Sequence, residues 1–282
     1  MGPLHLHLLS DSTGETLEGL AKAALSQFEG VEVTRHFWPM IRSPAQLERV
    51  MDDVEATPGL VLFTVVNADT RRTLERRAKA AGVPAVSPLD PVIERLSDML
   101  GRAATGRSGG QHSLDAAYFD RVEAIQFTIA HDDGLAAENW EEADIVLAGV
   151  SRTSKTPTAI YLANRGYRVA NIPVVPQSPP PAHLWTLKHP MVVGLTTSPD
   201  RLIQIRRNRL LSVGERAETD YVAPDVVARE VTYARRLFGD AGVPVIDVTR
   251  RSIEETAAAV IALLGERDRA RAGVETGSGL EP

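Results

Sequence analysis

The chain has 282 residues, of which 43% are hydrophobic and 24% charged, as in a soluble globular protein with one large or two ordinary domains. Its net charge of −6 argues against nucleic acid as the main partner, and the absence of cysteine excludes disulfides, thiolate metal sites and cysteine nucleophiles. No signal-peptide pattern opens the sequence, and the most hydrophobic run, Leu60–Val66, is only as long as a strand. We therefore expect a cytoplasmic protein that neither enters a membrane nor binds nucleic acid.

Strands alternate with helices through residues 1–105, which we predict to form an N-terminal α/β domain with a parallel sheet. Each of four predicted strands is followed by a predicted helix; the strands are Leu4–Leu9, Val31–Phe37, Leu60–Val66 and Val83–Val86. The helix after the third strand is rich in arginine, from Arg71 to Lys79. Such a face is either solvated or a docking patch for an acidic partner.

A polar turn, Ser10 to Thr16, follows the first predicted strand. Ser12 and Glu15 have the spacing of a helix capping box. The hydroxyls of Ser12 and Thr13 next to a glycine fit an anion site at the carboxyl end of a strand equally well. The sequence leaves both interpretations open.

Residues 106–142 are predicted to be a flexible loop and connecting segment. Periodicity is lost from Gly101 to Asp115, where glycine, serine and arginine predominate, so we place a domain boundary or a mobile segment there. A short helix is predicted at Tyr118–Ala124 and a strand at Ile125–Ala130. The next residues, His131 to Gly134, include two adjacent aspartates that fit a general base, a magnesium ligand or a solvent-facing turn.

A phosphate-binding loop is predicted where the buried strand Asp144–Val150 runs into the helix Thr158–Asn164. Ser154 stands where the second glycine of the usual pattern would be, and Pro157 suits a first helical turn. The predicted nucleotide-binding residues are Gly149, Val150, Ser151, Arg152, Thr153, Ser154, Lys155 and Thr156.

Each group in this loop has a chemical reason to bind phosphate. Backbone N–H groups and the helix dipole attract an anion, and Lys155 would bridge the terminal phosphates. Arg152 offers a planar fork of donors, and the Thr156 hydroxyl could ligate a nucleotide-bound magnesium ion. The alternative is a plain strand–turn–helix with a solvated lysine.

Further strands and helices follow, and together they predict a P-loop kinase-like α/β domain over residues 143–266 with a frayed tail at 267–282. The predicted elements are the strands Tyr167–Val175, Met191–Leu195 and Val243–Thr249, and the helices from Pro199, at Val226–Phe238 and at Ser252–Leu264. Four arginines on the helix from Pro199 are either surface residues or groups that neutralise a phosphoryl group: Arg201, Arg206, Arg207 and Arg209. Asp247 is the one aspartate that ends an apolar strand after the loop, and it is a weak magnesium candidate.

Four motifs resemble, in chain order, those of one protein family. They are Ser10-Asp11-Ser12-Thr13-Gly14-Glu15-Thr16, His131-Asp132-Asp133-Gly134, Gly149-Val150-Ser151-Arg152-Thr153-Ser154-Lys155-Thr156-Pro157, and Pro199-Asp200-Arg201-Leu202 with Ile205-Arg206. The similar family is the bacterial regulatory proteins of pyruvate, phosphate dikinase and of phosphoenolpyruvate synthase. The resemblance runs from about Leu4 to Leu264, and the Ser-Lys-Thr-Pro form of the loop is its most specific part.

The resemblance implies a bifunctional enzyme. Family members phosphorylate a threonine of the target enzyme with ADP as donor, which inactivates the target. They also remove that phosphate with inorganic phosphate as acceptor, and this releases pyrophosphate. For this chain the resemblance implies either of the two target enzymes as partner and a homodimer; magnesium with the nucleotide is expected from the loop chemistry above.

The resemblance also implies roles for the residues above. Lys155, Arg152 and Thr156 would hold the phosphates of ADP, and Ser12 and Thr13 would hold inorganic phosphate or the phosphothreonine. Asp11 or Asp132 would take the proton from the attacking hydroxyl, and no spacing rule decides between Asp11, Asp132 and Asp133.

Two other functions fit parts of the sequence. An ATP-dependent kinase of a small metabolite would share the strand, loop, lysine and arginine-bearing helix, but would not need the large N-terminal portion. A nucleotide-sensing module without turnover is the third possibility.

Overall fold

A computed structural model describes residues 3–110, 116–212 and 219–277. The chain divides into two compact units, unit 1 at Met1–Ser113 and unit 2 at Leu114–Pro282. Within the described ranges, no helix is both long and apolar enough to cross a membrane.

Unit 1 is an α/β layer structure around a four-stranded parallel sheet with the strand order β2-β1-β3-β4. Its elements are β1 (Leu4–Ser10), α1 (Glu15–Leu25), β2 (Val33–Trp38), α2 (Pro44–Ala56), β3 (Leu60–Thr64), α3 (Ala68–Ala80), β4 (Ala85–Val86) and α4 (Asp90–Leu100). Side chains of β1 and β3 alternate between two buried clusters, because successive strand residues point to opposite faces. Helices therefore cover the sheet on both sides, and the predicted alternation of parallel strands and helices is confirmed.

Unit 2 repeats this plan, with the strand order β6-β5-β7-β8 in a second parallel sheet. Its elements are α5 (Ala116–Ala130), β5 (Ile145–Gly149), α6 (Lys155–Ala163), β6 (Val169–Pro173), β7 (Met191–Thr196), α7 (Pro199–Ser212), α8 (Pro224–Ala241), β8 (Val245–Asp247) and α9 (Ile253–Gly277). Strand β5 is buried along its whole length, between two apolar clusters. The predicted two-part α/β fold is confirmed.

In each unit the first strand lies inside the sheet. The second strand is added on one side of it, and the third and fourth strands are added on the other side. Where the strand order switches sides in this way, the loops after the two neighbouring strands lead away from each other. They leave a crevice at the carboxyl ends of the strands, and ligands of α/β proteins bind in such crevices. The turn after β1 and the loop after β5 occupy this equivalent place in their own units.

The prediction for residues 118–130 is wrong in one part. The segment Ile125–Ala130, predicted to be a strand, belongs to the single helix α5. Ala124 and Thr128 are buried one helical turn apart, and the Thr128 hydroxyl accepts a hydrogen bond from the Val169 N–H at 3.1 Å. The burial period is therefore helical, although the β-branched and aromatic residues favour a strand. Residues 111–115 of the predicted loop lie outside the described residues.

The last helix continues beyond its predicted end at Leu264, and reaches Gly277. Ser252 and Glu255 form the predicted capping box, with hydrogen bonds of 2.8 and 3.1 Å. Within the predicted frayed tail, Arg267 and Arg271 donate to the carbonyl oxygens of His189 and Lys188 at 2.9 and 2.8 Å. These contacts explain why the helix continues from Leu264 to Arg271. Residues 278–282 of the predicted tail lie outside the described part.

Arginines of the basic helix α3 are paired with carboxylates of unit 1. Arg71 binds Asp90 and Glu75, and Arg77 contacts three acidic residues of α2: Glu48, Asp52 and Glu55. The charge of these two arginines is therefore largely balanced within the unit.

Candidate functional site

The loop after β5 has a shape that depends on one glycine. A Cβ on Gly149 would lie 2.6 Å from the Thr153 hydroxyl oxygen and 2.7 Å from the Leu195 carbonyl oxygen. The Thr153 hydroxyl donates to the Val150 carbonyl at 2.9 Å, which closes the loop on itself. Only glycine leaves room for this closure.

Arg152 and Ser154 both have left-handed backbone conformations, with φ of 76° and 61°. Ser154 therefore adopts the conformation of the glycine it replaces, and helix α6 begins immediately after it at Lys155 rather than at the predicted Thr158. No side chain caps this helix start, so its N–H groups face the loop. Strain of this kind in non-glycine residues is concentrated at binding sites.

Lys155 is a buried cation with few partners. Its side chain is 6% exposed, and its Nζ donates to the Val150 carbonyl oxygen at 3.3 Å. Burial lowers the pKa of Lys155 to about 8, against the opposing effect of the carboxylates of Asp133 and Asp132. An anion bound beside this ammonium would offset the cost of its desolvation.

A cavity of about 320 Å³ opens in front of the loop. It is lined by Asp133, Ser151, Arg152, Ser154, Lys155, Thr156, Pro157 and Ile205. The lining thus combines two cations, three hydroxyls and one carboxylate, which is the chemistry of a site for a phosphate chain and its counter-ion.

The acidic turn at the end of α5 lies against this loop. The Thr156 hydroxyl donates to Asp132 Oδ1 at 2.9 Å, and the Asn171 side-chain amide donates to the same oxygen. The Asn171 side-chain carbonyl in turn accepts the Asp133 N–H at 3.3 Å. Asn171 is 1% exposed on β6, and sequence reasoning missed it; a lone amide in the apolar run Val169–Ile172 was the available signal.

Arg206 contacts the backbone of the loop and does not line the cavity. It is 1% exposed and donates to the Ser151 and Tyr221 carbonyl oxygens at 3.3 and 3.0 Å. Its guanidinium also forms a 2.6 Å ion pair with Glu230. Arg201, the other arginine predicted to bind phosphate, is exposed on the first turn of α7. Tyr221 and Glu230 were not identified from the sequence.

Tyr221 adds a second attachment for the loop. Its hydroxyl lies 3.3 Å from the Ser151 hydroxyl and accepts from Arg152 Nε at 3.3 Å. The guanidinium of Arg206 stacks over its ring, with 4.4 Å between the guanidinium carbon and the ring centre. Arg206 and Tyr221 therefore both hold the Ser151 end of the loop.

Asp247, the weak magnesium candidate, does not line this cavity. Its carboxylate accepts from the N–H and the hydroxyl of Thr249, and faces Arg235 at 3.7 Å. These contacts give it a local role at the end of β8.

The turn after β1 borders a smaller cavity of about 180 Å³ in unit 1. Ser12 lines it, together with Arg107 and Ser108 from the predicted flexible loop, whereas Thr13 is exposed and outside the lining. Asp11 is buried, and its Oδ2 accepts from the Val66 N–H at 2.8 Å.

Of the two interpretations left open for this turn, the capping box of Ser12 and Glu15 does not form. The residue that caps α1 is Gly14, with φ of 83°, and no side chain hydrogen bonds to the helix start. A Cβ there would lie 2.5 Å from the Phe37 ring. The N–H groups at the start of α1 are therefore left for solvent or for an anion.

The predicted site residues among those that the structure describes thus fall into two groups. Lys155, Arg152, Thr156 and Asp132 come together in unit 2, with Arg206 supporting them. The group in unit 1 is built around Asp11 and Ser12.

Comparisons with known proteins identify the family of this chain. The model of the kinase/pyrophosphorylase family matches residues 6–261. A relative from Novosphingobium aromaticivorans is 64% identical over 282 residues, which is 100% of both chains. One from Erythrobacter litoralis is 67% identical over 267 residues, 95% of this chain and 96% of its own. Both bear the name of a predicted pyruvate, phosphate dikinase regulatory protein. The chain belongs to the kinase/pyrophosphorylase family.

Proposed function

We propose that this protein regulates pyruvate, phosphate dikinase by reversible phosphorylation of a threonine. In one direction ADP donates its β-phosphoryl group and the target is inactivated. In the other direction inorganic phosphate accepts the phosphoryl group, pyrophosphate is released and the target is reactivated. The observation that carries the proposal is the buried, poorly paired Lys155 beside an uncapped helix start in a polar cavity. The names of the relatives favour the dikinase over phosphoenolpyruvate synthase. A homodimer is proposed from the resemblance alone.

The cavity of unit 2 is the proposed ADP site. The N–H groups from Ser151 to Thr156 and the ammonium of Lys155 hold the two phosphates, and Arg152 adds a donor fork at the rim. Catalysis of phosphoryl transfer is mainly positioning and charge neutralisation, which these groups supply. Arg206 acts through the Ser151 carbonyl, so we assign it to positioning of the loop. Arg201 is left as a surface candidate for contact with the target.

The donor set also fits magnesium. Thr156 presents a hydroxyl oxygen at the start of the helix, and hard cations prefer oxygen ligands. We propose that Thr156 holds the metal, which would neutralise charge on the phosphates when bound. Asp132 accepts the Thr156 hydrogen bond and so orients this hydroxyl.

The acidic turn after α5 is the better location for the proton acceptor. Asp133 lines the same cavity as Lys155, whereas Asp11 belongs to unit 1 and its carboxylate holds the Val66 N–H. Asp11, Asp132 and Asp133 were all candidates from the sequence, and the geometry favours the turn that contains Asp132 and Asp133.

Transfer of labelled phosphate tests the proposed function. The protein is incubated with dikinase, magnesium and either β-labelled ADP or γ-labelled ATP, alongside Lys155→Ala. We expect label on a target threonine from ADP and none from ATP, with loss of transfer in Lys155→Ala. Transfer from ATP to a small metabolite would instead support the small-metabolite kinase, and no transfer in any mixture would support a nucleotide sensor.

The cavity of unit 1 is the proposed site for inorganic phosphate, with Ser12 and the start of α1 as donors. Thr13, which is exposed and outside the lining, is left out of this site. Ser12→Ala should raise the KM for inorganic phosphate in the reverse reaction about tenfold, because one hydrogen bond to a charged ligand is lost. The rate of ADP-dependent phosphorylation should stay unchanged. Ser26→Ala, on the exposed end of α1, is the matched control. An unchanged KM for phosphate in Ser12→Ala would argue against this assignment.

A further inference from the structure

We propose that Asp133, rather than its neighbour Asp132, takes the proton from the threonine hydroxyl during phosphoryl transfer. Asp132 and Asn171 are positioning residues that hold Asp133 at the cavity. This inference rests on the proposed kinase function, and it separates two adjacent carboxylates that have the same chemistry but different surroundings.

Asp132 is already engaged. Its Oδ1 accepts from both the Thr156 hydroxyl and the Asn171 amide, and it is absent from the lining of the cavity. These two hydrogen bonds hold the Asp132 carboxylate toward Thr156 and Asn171, and it is this placement outside the cavity lining that separates Asp132 from its neighbour. Its contacts link the acidic turn to the first turn of α6.

Asp133 has the opposite surroundings. Its carboxylate lines the cavity, is exposed, and has no hydrogen-bond partner among the described residues. Among the charges that keep the Lys155 ammonium protonated, Asp133 has the larger effect and Asp132 the smaller. The carboxylate of Asp133 therefore shares the cavity with the cation that would hold the transferred phosphate.

The backbone places Asp133 at the cavity at a cost. Its φ of 51° and ψ of 35° are left-handed, and Gly134 follows with φ of 83°. Two consecutive left-handed residues turn the chain sharply, and the Asp133 N–H is held by Asn171 at 3.3 Å. Non-glycine residues in such conformations persist where the surroundings enforce them, often at active sites.

The proposed step is a displacement at the β-phosphorus of ADP. The threonine oxygen forms a bond to the β-phosphorus of ADP, while the bond from that phosphorus to the oxygen bridging to AMP breaks. The electron pair of the broken bond leaves with AMP. The hydroxyl proton moves to the Asp133 carboxylate and from there to water.

Asp133→Asn and Asp133→Gly are the decisive variants, because both residues tolerate a positive φ and neither accepts a proton. We expect each to lower kcat for phosphorylation of the dikinase at least 100-fold, while the Kd for ADP measured by calorimetry changes less than threefold. Added formate should restore part of the activity of Asp133→Gly, because it supplies the missing carboxylate in the space vacated. Asp132→Asn is the comparison variant: it should lower kcat by less than Asp133→Asn does, and it should also weaken the magnesium dependence of ADP binding, because Asp132 orients the Thr156 hydroxyl.

Three results would overturn the inference. One is a kcat for Asp133→Asn within threefold of the unmodified protein; another is a greater loss of kcat in Asp132→Asn than in Asp133→Asn. The third is a loss of ADP affinity in Asp133→Asn that accounts for the whole loss of activity. If the unmodified protein transfers nothing from ADP, the proposed function itself is wrong, and that outcome is distinct from these three.

Discussion

Replacing Lys155 with methionine is expected to abolish ADP binding and at the same time to stabilise the folded protein. Burial lowers the pKa of Lys155 from 10.5 to about 8, so at pH 7 the folded chain holds a charge in an unfavourable environment. A shift of this size corresponds to a cost on the order of 3 kcal/mol in the free energy of unfolding. Methionine has a similar length, fills the same space and carries no charge.

The pH dependence gives this prediction a definite sign. Below pH 8 the lysine is protonated in both the folded and the unfolded state, and the full cost is present. Between pH 8 and 10.5 the folded state releases its proton first, so the stability of the unmodified protein rises with pH. The advantage of Lys155→Met should therefore be largest at neutral pH and shrink as pH rises from 8 toward 10.5.

Denaturant unfolding at pH 7 and pH 9.5 checks both statements, and calorimetry checks the loss of ADP binding. Lys22→Met, on an exposed position of α1, is the matched control and should change stability by less than about 0.5 kcal/mol. A Lys155→Met protein that is less stable than the unmodified chain at pH 7 would contradict the argument that this lysine is held at a cost.

Replacing Arg206 with methionine should have the opposite effect on stability. The change leaves Glu230 and the carbonyl oxygens of Ser151 and Tyr221 without their donor. Breaking one side of a buried ion pair costs about 3 kcal/mol, since the remaining charge is left uncompensated. ADP affinity should fall as well, because the Ser151 end of the loop loses its support.

Denaturant unfolding of three variants measures the loss of stability, and calorimetry with ADP measures the loss of affinity separately. Arg207→Met, at the exposed neighbouring position, should be close to neutral. The double variant Arg206→Met with Glu230→Leu should recover most of the stability, because a buried ion pair can be replaced by apolar groups at little cost. It should not recover ADP affinity. Full stability in Arg206→Met alone would show that the ion pair contributes little.

The parts of the site that were predicted from sequence are the contiguous ones. The strand, the glycine at 149, Lys155 and Thr156 follow one another with fixed spacing, and the chemistry of a phosphate cradle can be inferred from that spacing. The fold class followed from the alternation of strands and helices. The order of strands within each sheet is set by packing across the chain, so it had no local signal.

The parts that sequence reasoning missed depend on contacts between distant residues. Asn171 reaches Asp132 across 39 positions, and Arg206 reaches Ser151 across 55. The error at Ile125–Ala130 has a different cause, because β-branched residues suggested a strand where the burial of Ala124 and Thr128 has a helical period.

The repeated strand order has a consequence for how the polypeptide can be divided. Strands β1–β4 pair with one another, and β5–β8 do the same. A break in the covalent chain between Ser113 and Leu114 would therefore sever no strand pairing of either sheet. The protein therefore consists of two consecutive chain segments, each of which contains a whole sheet. Circular permutation or expression as two fragments would begin with intact sheets, and each proposed anion site would stay whole on its own fragment.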